Sequence, residues 1–134
     1  MSATLEEIDL PSIVATLRRR GGDSTTLEVK AARGGCPTLG ETLCAFANMP
    51  EGGTIILGVD EARGAFNVTG VADVALLEAG VAAQAREGVT PSPQIIPQTL
   101  QLDERQVLLI HVVPLRTADK PAPWRAAANW RQSA

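Results

Sequence analysis

The strongest constraint on the fold is a segment with a helical pattern that leads into a short apolar strand. Thr38 and Glu41 have the spacing of a capping box, which predicts a helix over Leu39–Asn48. Residues Thr54–Val59 are apolar and mostly β-branched, a composition typical of a strand covered on both faces. The helix should bury Leu43, Phe46 and Ala47 against this strand.

Gly58 and Asp60 mark the end of the predicted strand. A glycine inside a strand leaves room for another backbone to approach closely. The strand is then expected to deliver Asp60 to the edge of the sheet.

The rest of the pattern predicts the element order α-β-α-β-α-β-β. The further segments are a helix within Leu5–Arg20, a strand over Thr25–Ala31, a loop or short hairpin over Ala62–Gly70, a helix from Asp73 to about Glu87, and an antiparallel pair over Gln94–Leu102 and Gln106–Val113. We expect the four long strands to form one mixed sheet with the Leu39–Asn48 helix packed on it.

These signals resemble the Schlafen AlbA-type domain, a nucleic-acid-binding family. The residues that carry the resemblance are Asp23, Glu28-Val29-Lys30, Ala45-Phe46-Ala47-Asn48, Gly52-Gly53 and Gly58-Val59-Asp60. The resemblance covers roughly Leu5 to Arg131 and implies an α+β fold. That fold is an Alba-like mixed β-sheet packed with two to three helices, with a late antiparallel hairpin. The turn Met49-Pro50-Glu51 is one residue longer than the family pattern.

The resemblance also implies a domain organisation. We expect a single domain over residues 1–134, with a helical lead-in over 1–22 and a core over 23–131. The segments around Lys120-Pro121 and Trp130-Arg131 resemble the closing part of the family domain, after which family members commonly continue. A further C-terminal region is therefore expected.

Composition excludes several classes of protein. A chain of 134 residues that is 45% hydrophobic can bury a core of its own. With two Trp, two Phe and no Tyr, it offers few platforms for stacking bases. No apolar run approaches the roughly 20 residues of a membrane span, and the N-terminus is acidic where a signal peptide would be basic. We expect a cytoplasmic protein that does not contact membranes.

Neither the cysteines nor the histidine indicates a metal or redox site. Cys36 and Cys44 are too far apart to form a disulfide if both are helical, and their spacing is not that of a zinc site. His111, the sole histidine, lies in an apolar strand and is interpreted as a structural spacer. Gly52-Gly53 precedes a strand, so it does not match a phosphate loop.

The charge distribution permits local contacts with nucleic acid. A net charge of −3 disfavours indiscriminate DNA coating. Basic residues nevertheless cluster near both ends of an acidic middle. The candidate phosphate contacts are Arg18, Arg19, Arg20, Lys30, Arg125 and Arg131. The alternative for the Arg18-Arg19-Arg20 triplet is a solvated helix end.

Three acids form the candidate catalytic and metal-binding group. Asp23, Glu28 and Asp60 would converge if the first two strands are neighbours. Clustered carboxylates favour a divalent cation, which here would be Mg²⁺ or Mn²⁺. The resemblance implies the same role, because matching acids form such a site in Schlafen-family nucleases. The alternative is a surface ion pair between Glu28 and Lys30, with Asp60 starting a turn.

Three functions stay open on this basis. The first is a nucleic-acid (DNA)-binding module that needs no cofactor, as the N-terminal domain of a bacterial-type transcriptional regulator with DNA or RNA as partner. The second is a metal-dependent nuclease that uses the three acids. The third is a protein-interaction or homodimerisation module, suggested by small apolar residues such as Val81-Ala82-Ala83.

Overall fold

A computed structural model describes residues 27–62, 65–102 and 104–123. In chain order, the elements are β1 (Leu27–Lys30), α1 (Gly40–Asn48), β2 (Gly53–Leu57), β3 (Val59–Ala62), β4 (Ala65–Val68), α2 (Val74–Gly88), β5 (Ile95–Leu102), β6 (Arg105–Val112) and a 3₁₀ turn (Thr117–Asp119). The architecture is α+β, as the sequence predicts. The expected helix within Leu5–Arg20 lies outside the described residues.

The described strands form a four-stranded mixed sheet and a separate hairpin. The sheet order is β1-β2-β6-β5, with β1 parallel to β2 and the other neighbours antiparallel. In the register, Glu28 lies opposite Ile55 and Lys30 opposite Leu57. The predicted mixed sheet and late antiparallel pair are thus confirmed. The hairpin of β3 and β4 forms the second, two-stranded sheet.

One face of the sheet carries both described helices. Ile55 and Leu57 of β2 and Ile110 of β6 are fully buried there against the two helices. Phe46 of α1 is 4% exposed, which confirms that this helix faces the core. The expected role of Val81-Ala82-Ala83 as a surface is wrong for Val81, because this side chain is fully buried in the same cluster.

The opposite face holds a smaller apolar cluster. Its buried members are Ile56, Val59, Leu100 and Val107, with Leu27, Val29, Val68 and Leu109 packed against them. Strand β6 therefore buries side chains on both faces of the sheet. The reason is that the two helices cover one face of the sheet, while Val59 and Val68 of the β3–β4 hairpin pack on the other.

Two predicted helix starts had different outcomes. Asp73 caps α2 as expected, because its carboxylate accepts a hydrogen bond from the Leu76 amide at 3.1 Å. The Thr38–Glu41 capping box is wrong, since no side chain of this segment caps α1. Instead, the Leu39 amide donates to the side-chain oxygen of Gln84 on α2, at 2.6 Å. A tertiary contact has replaced the local cap.

The segment after β6 crosses the end of α1. The Leu115 amide donates to the Ala47 carbonyl at 2.9 Å, and the Lys120 ammonium donates to the Met49 carbonyl at 3.1 Å. We call residues 113–123 the C-terminal strap. It satisfies backbone carbonyls that the end of a helix leaves unpaired.

Candidate nucleic-acid interface

Glu28 and Lys30 lie on β1, an edge strand of the described sheet. Alternate residues of a strand share a face, and these two side chains form an ion pair of 3.6 Å. Each is a little over one third exposed. An ion pair this exposed stabilises a protein by less than about 1 kcal/mol.

Asp60 lies inside a strand, contrary to the expectation that it ends one. Strand β2 stops at Leu57, and Asp60 belongs to β3, where it pairs with Asn67 of β4. Its carboxylate forms a 3.4 Å ion pair with the guanidinium of Arg33. The chain turns between β2 and β3 because Gly58 adopts a φ of 108°, which L side chains rarely allow.

The backbone of Gly58 connects three parts of the chain. Its amide donates to the Lys30 carbonyl at 2.9 Å, and its carbonyl accepts from the Thr69 and Gly70 amides at 2.8 and 2.9 Å. The Thr69 hydroxyl donates to the same carbonyl at 3.1 Å. A Cβ on Gly58 would lie 3.3 and 3.4 Å from the backbone carbonyl carbon and oxygen of Gly70, so the predicted close approach of another backbone segment is confirmed. The ends of β1, β2 and β4 are thereby fixed relative to one another.

An open groove of roughly 450 Å³ lies beside this junction. We call it the arginine groove. Its lining residues are Ala32, Arg33, Thr69, Gly70, Val71, Ala72, Gln101, Glu104, Arg105 and Gln106. The Val71 amide donates to the Gln106 carbonyl at 2.8 Å, which joins the loop before α2 to the start of β6. The two arginines come from different segments of the chain.

Gly70 makes room for the aliphatic stem of Arg105. A Cβ on Gly70 would lie 3.2 to 3.4 Å from the Cβ, Cγ and Cδ of Arg105. Gly70 also has a φ of 82°. Within the described ranges, no carboxylate lies within 4.0 Å of the Arg105 guanidinium.

Several predicted site residues lie outside the part of the chain that the structure describes. They are Asp23, Arg18, Arg19, Arg20, Arg125 and Arg131. Among residues 27–62, 65–102 and 104–123, no group of three or more His, Cys, Asp or Glu side chains could hold a metal ion.

Sequence reasoning missed the two groove arginines. Arg33 stands between a predicted strand and a predicted helix, and Arg105 falls between the two predicted strands of the antiparallel pair. The sequence does contain a signal for Arg33. It follows the predicted first strand by two residues, and Asp60 is expected at the edge of the same sheet, so the two side chains could meet there. For Arg105 there is no local signal, because its role depends on packing against the distant Gly70.

His111 and the two thiols have structural surroundings. His111 pairs with Thr54 and Ile96 on neighbouring strands and is half-buried, as expected for a spacer. Both cysteines are free. Burial raises the pKa of the Cys36 thiol, and it raises the pKa of the Cys44 thiol as well. These thiols are thus poor nucleophiles at neutral pH.

No helix in the described portion has the length and apolar character needed to cross a membrane.

Comparison with known proteins identifies a matching family and a solved structure with a similar fold. The model of the Schlafen, AlbA_2 family matches residues 23–133. The solution NMR structure of the N-terminal domain of a RecG-related protein from Nitrosomonas europaea aligns with a TM-score of 0.71 and 23% identity. The alignment covers 93% of this chain and 82% of that chain. This similarity supports the fold.

A second solved structure aligns less well. A crystal structure of a Corynebacterium diphtheriae protein has a TM-score of 0.43 at 18% identity, covering 92% of this chain and 31% of that chain. No curated protein sequence matches this chain significantly.

Proposed function

Because this chain belongs to the Schlafen, AlbA_2 family, we propose that it is a nucleic-acid-binding module. The observation that carries this proposal is the family match over residues 23–133. We further propose that it binds DNA without a cofactor, as the N-terminal domain of a cytoplasmic, bacterial-type transcriptional regulator. The solved N-terminal domain with a similar fold comes from a DNA helicase RecG-related protein. That description is consistent with a nucleic-acid-binding role for the present chain.

Binding should be electrostatic and largely independent of sequence. The net charge is −3, so the contacts must come from local groups of basic residues. Phosphate contacts release counterions, and each one steepens the dependence of affinity on salt. Arg18, Arg19, Arg20, Lys30, Arg125 and Arg131 are the candidate contacts.

The first test is a titration of labelled duplex DNA and RNA at several salt concentrations. Replacing Arg18, Arg19 and Arg20 together by Ala should weaken binding about equally for all duplex sequences and flatten the salt dependence. Arg86→Ala is a suitable control, because Arg86 is an exposed arginine in the last turn of α2. If the unaltered chain fails to bind either nucleic acid at low salt, the proposed function is wrong.

One observation favours a metal-dependent phosphodiesterase as the second candidate. The hydrogen bond from the Gly58 amide to the Lys30 carbonyl brings the start of β3 beside the end of β1. Glu28 and Asp60 thus lie on adjoining strands, and carboxylate oxygens suit Mg²⁺ or Mn²⁺. A bound metal would supply an activated water and stabilise the phosphodiester transition state. Asp23 would complete the set of ligands.

The residues present are compatible with such an ion only after a rearrangement. Glu28 is paired with Lys30 and Asp60 with Arg33, so both carboxylates must exchange a cationic side chain for the metal. Both ion pairs are exposed and therefore weak, so breaking them costs little free energy.

The second test uses the stabilisation that a bound metal confers. If the acids bind metal, Mn²⁺ should raise the melting temperature, and Glu28→Gln should abolish both that shift and any cleavage of RNA or single-stranded DNA. Glu87→Gln, at the exposed end of α2, should leave both unchanged. A metal-induced shift that persists in Glu28→Gln would remove Glu28 from the site.

A further inference from the structure

We propose that the arginine groove binds the sugar–phosphate backbone of a nucleic-acid strand, with Arg33 and Arg105 as its phosphate contacts. This inference rests on the proposed function and deepens it, because it names a binding surface formed by residues other than the candidate basic residues near the chain ends. It depends on the shape of the groove, the packing of Arg105, the pairing of Arg33 and the hydrogen bonds of the groove wall.

The groove suits a backbone segment better than a stacked base. Its volume of roughly 450 Å³ lies within the range of about 300 to 1,000 Å³ that is usual for ligand sites. No aromatic side chain is among its lining residues in the described part of the chain. The buried Ala32 and Val71 give it short apolar side chains, while its remaining walls are largely polar. Such a surface can hold a sugar and phosphate without reading a base.

Arg105 is arranged to present its guanidinium to an anion. Its aliphatic stem packs over Gly70. A Cβ built on this glycine would lie 3.2 to 3.4 Å from the Cβ, Cγ and Cδ atoms of Arg105. Packing of the stem reduces the side-chain entropy that binding would otherwise remove. The guanidinium has no carboxylate partner among the described residues. A phosphate can accept two parallel hydrogen bonds from a guanidinium, which makes arginine well suited to this contact.

Arg33 has a partner that a phosphate can replace. Its 3.4 Å ion pair with Asp60 is formed by a side chain that is 66% exposed. Exposed pairs of this kind contribute little, so exchanging the carboxylate for a phosphate oxygen meets little resistance. Because Asp60 is also a candidate metal ligand, a strand held by Arg33 would pass beside one of the candidate catalytic acids.

The wall of the groove is held in place before any strand binds. Gly58 accepts hydrogen bonds from Thr69 and Gly70, and Val71 donates to Gln106. The loop that carries Gly70 is therefore tied to the β2–β3 junction on one side and to β6 on the other. Little ordering of the loop has to accompany binding.

Glu104 makes the proposal testable in both directions. This exposed acid lines the same groove as the two arginines. A carboxylate beside a bound phosphate repels it, so removing the charge should strengthen binding while removing an arginine should weaken it. A groove that does not contact nucleic acid would show neither effect.

The experiment measures binding of the full chain to a labelled oligothymidylate and to duplex DNA over a range of salt concentrations. Arg105→Gln and Arg33→Gln should each weaken binding by about fivefold and lower the salt slope by about 0.7 for single strands or 0.9 for duplex. Glu104→Gln should strengthen binding about twofold. Thermal melts of each variant establish that the fold is retained.

Two control variants match the groove arginines. Arg116 is exposed and paired with Asp119 at 3.2 Å, as Arg33 is with Asp60. Arg86 is exposed and has no ion-pair partner among the described residues, as is true of Arg105. Arg116→Gln and Arg86→Gln should leave the salt slope unchanged.

The outcomes separate this proposal from the proposed function. If the unaltered chain binds no nucleic acid, both are overturned. If it binds and the groove variants behave like Arg86→Gln, only the groove proposal is overturned. Thymidine monophosphate that binds as tightly as the oligonucleotide would also overturn it, since the groove would then take a free nucleotide.

Discussion

Asn48, the last residue of the Ala45-Phe46-Ala47-Asn48 motif, fastens the C-terminal strap to α1. Its side-chain amide donates to the Ala122 carbonyl at 2.9 Å and to the Cys44 carbonyl at 3.0 Å. Its side-chain oxygen accepts from the Ala122 amide at 2.7 Å. The side chain of Asn48 thus forms hydrogen bonds with both the amide and the carbonyl of Ala122. In a sheet, the backbone of a neighbouring strand would form these bonds.

Replacing Asn48 should loosen the strap and destabilise the fold. Asn48→Ala leaves the Ala122 amide without its partner and the Ala122 carbonyl with the weakly donating Cys44 thiol at 3.2 Å. This should lower the free energy of unfolding by about 1 to 3 kcal/mol. Denaturant melts measure the loss, and hydrogen exchange should show faster exchange of the Ala122 amide. Ser92→Ala serves as a control, because the Ser92 hydroxyl makes a single long bond of 3.4 Å to the Val89 carbonyl. Equal losses in both variants would show that Asn48 does not fasten the strap.

Single residues were predictable where their partner is close in sequence. Asp73 caps α2 by accepting from the Leu76 amide, only three positions further on, so the local sequence pattern was enough to predict this cap. The Leu39 amide is paired with Gln84, on another helix. No local rule indicates that partner, and the same holds for the contact of Arg105 with Gly70.

At the scale of elements, the packing of α1 on β2 depends on a ring lying over a glycine. A Cβ placed on Gly53 would overlap the aromatic ring of Phe46. Phe46 is 4% exposed and belongs to the apolar cluster on the face of the sheet that carries α1 and α2, which we call the helix-side cluster. The glycine at the start of β2 therefore sets how closely the helix can approach the sheet.

This contact predicts strong coupling between the two positions. Phe46→Ala should lower the free energy of unfolding by roughly 3 to 5 kcal/mol, the usual loss for a buried aromatic side chain. Gly53→Ala should destabilise the unaltered chain by overpacking, and it should cost much less in the Phe46→Ala background. A double-mutant cycle in denaturant measures the coupling. Additive losses, or a loss below about 1 kcal/mol for Phe46→Ala, would place this helix at the periphery.

Element order was predictable because the hydrophobic patterns change clearly along the chain, but boundaries were less so. The hairpin was placed after Ala62, whereas β3 begins at Val59. A run of apolar residues continues through Gly58, and nothing local shows that the chain leaves one sheet there for another. That change depends on hydrogen bonds from Thr69 and Gly70, residues beyond the predicted strand.

For the whole molecule, the fold was more predictable than the candidate site. The sheet depends on apolar strands and turns, and each of these can be recognised from a short local sequence pattern. A groove needs side chains from segments far apart, such as Arg33 and Arg105, and their meeting depends on topology. Of the predicted acids, Glu28 and Asp60 lie on adjoining strands, each paired with a cation.

The two apolar clusters should unfold together, since both depend on the same central strands. Strand β2 gives Ile55 and Leu57 to the helix-side cluster and Ile56 to the other. Strand β6 likewise gives Ile110 to the first and Val107 to the second. Losing either strand would remove part of both clusters, so no stable half remains. We therefore expect a single cooperative transition.

Core truncations on opposite faces test this cooperativity. Leu43→Ala on the helix side and Leu100→Ala on the hairpin side should each lower the free energy of unfolding by about 2 to 5 kcal/mol, because both side chains are almost completely buried. Each variant should keep one transition, with far-UV circular dichroism and backbone NMR signals changing at the same denaturant concentration. An exposed alanine change, Leu76→Ala, provides the control, since Leu76 is 60% exposed. Separate transitions for the two faces in Leu100→Ala would show that the smaller cluster, which contains Leu100 and Val107, folds independently. The shared strands would then not couple the two halves of the core.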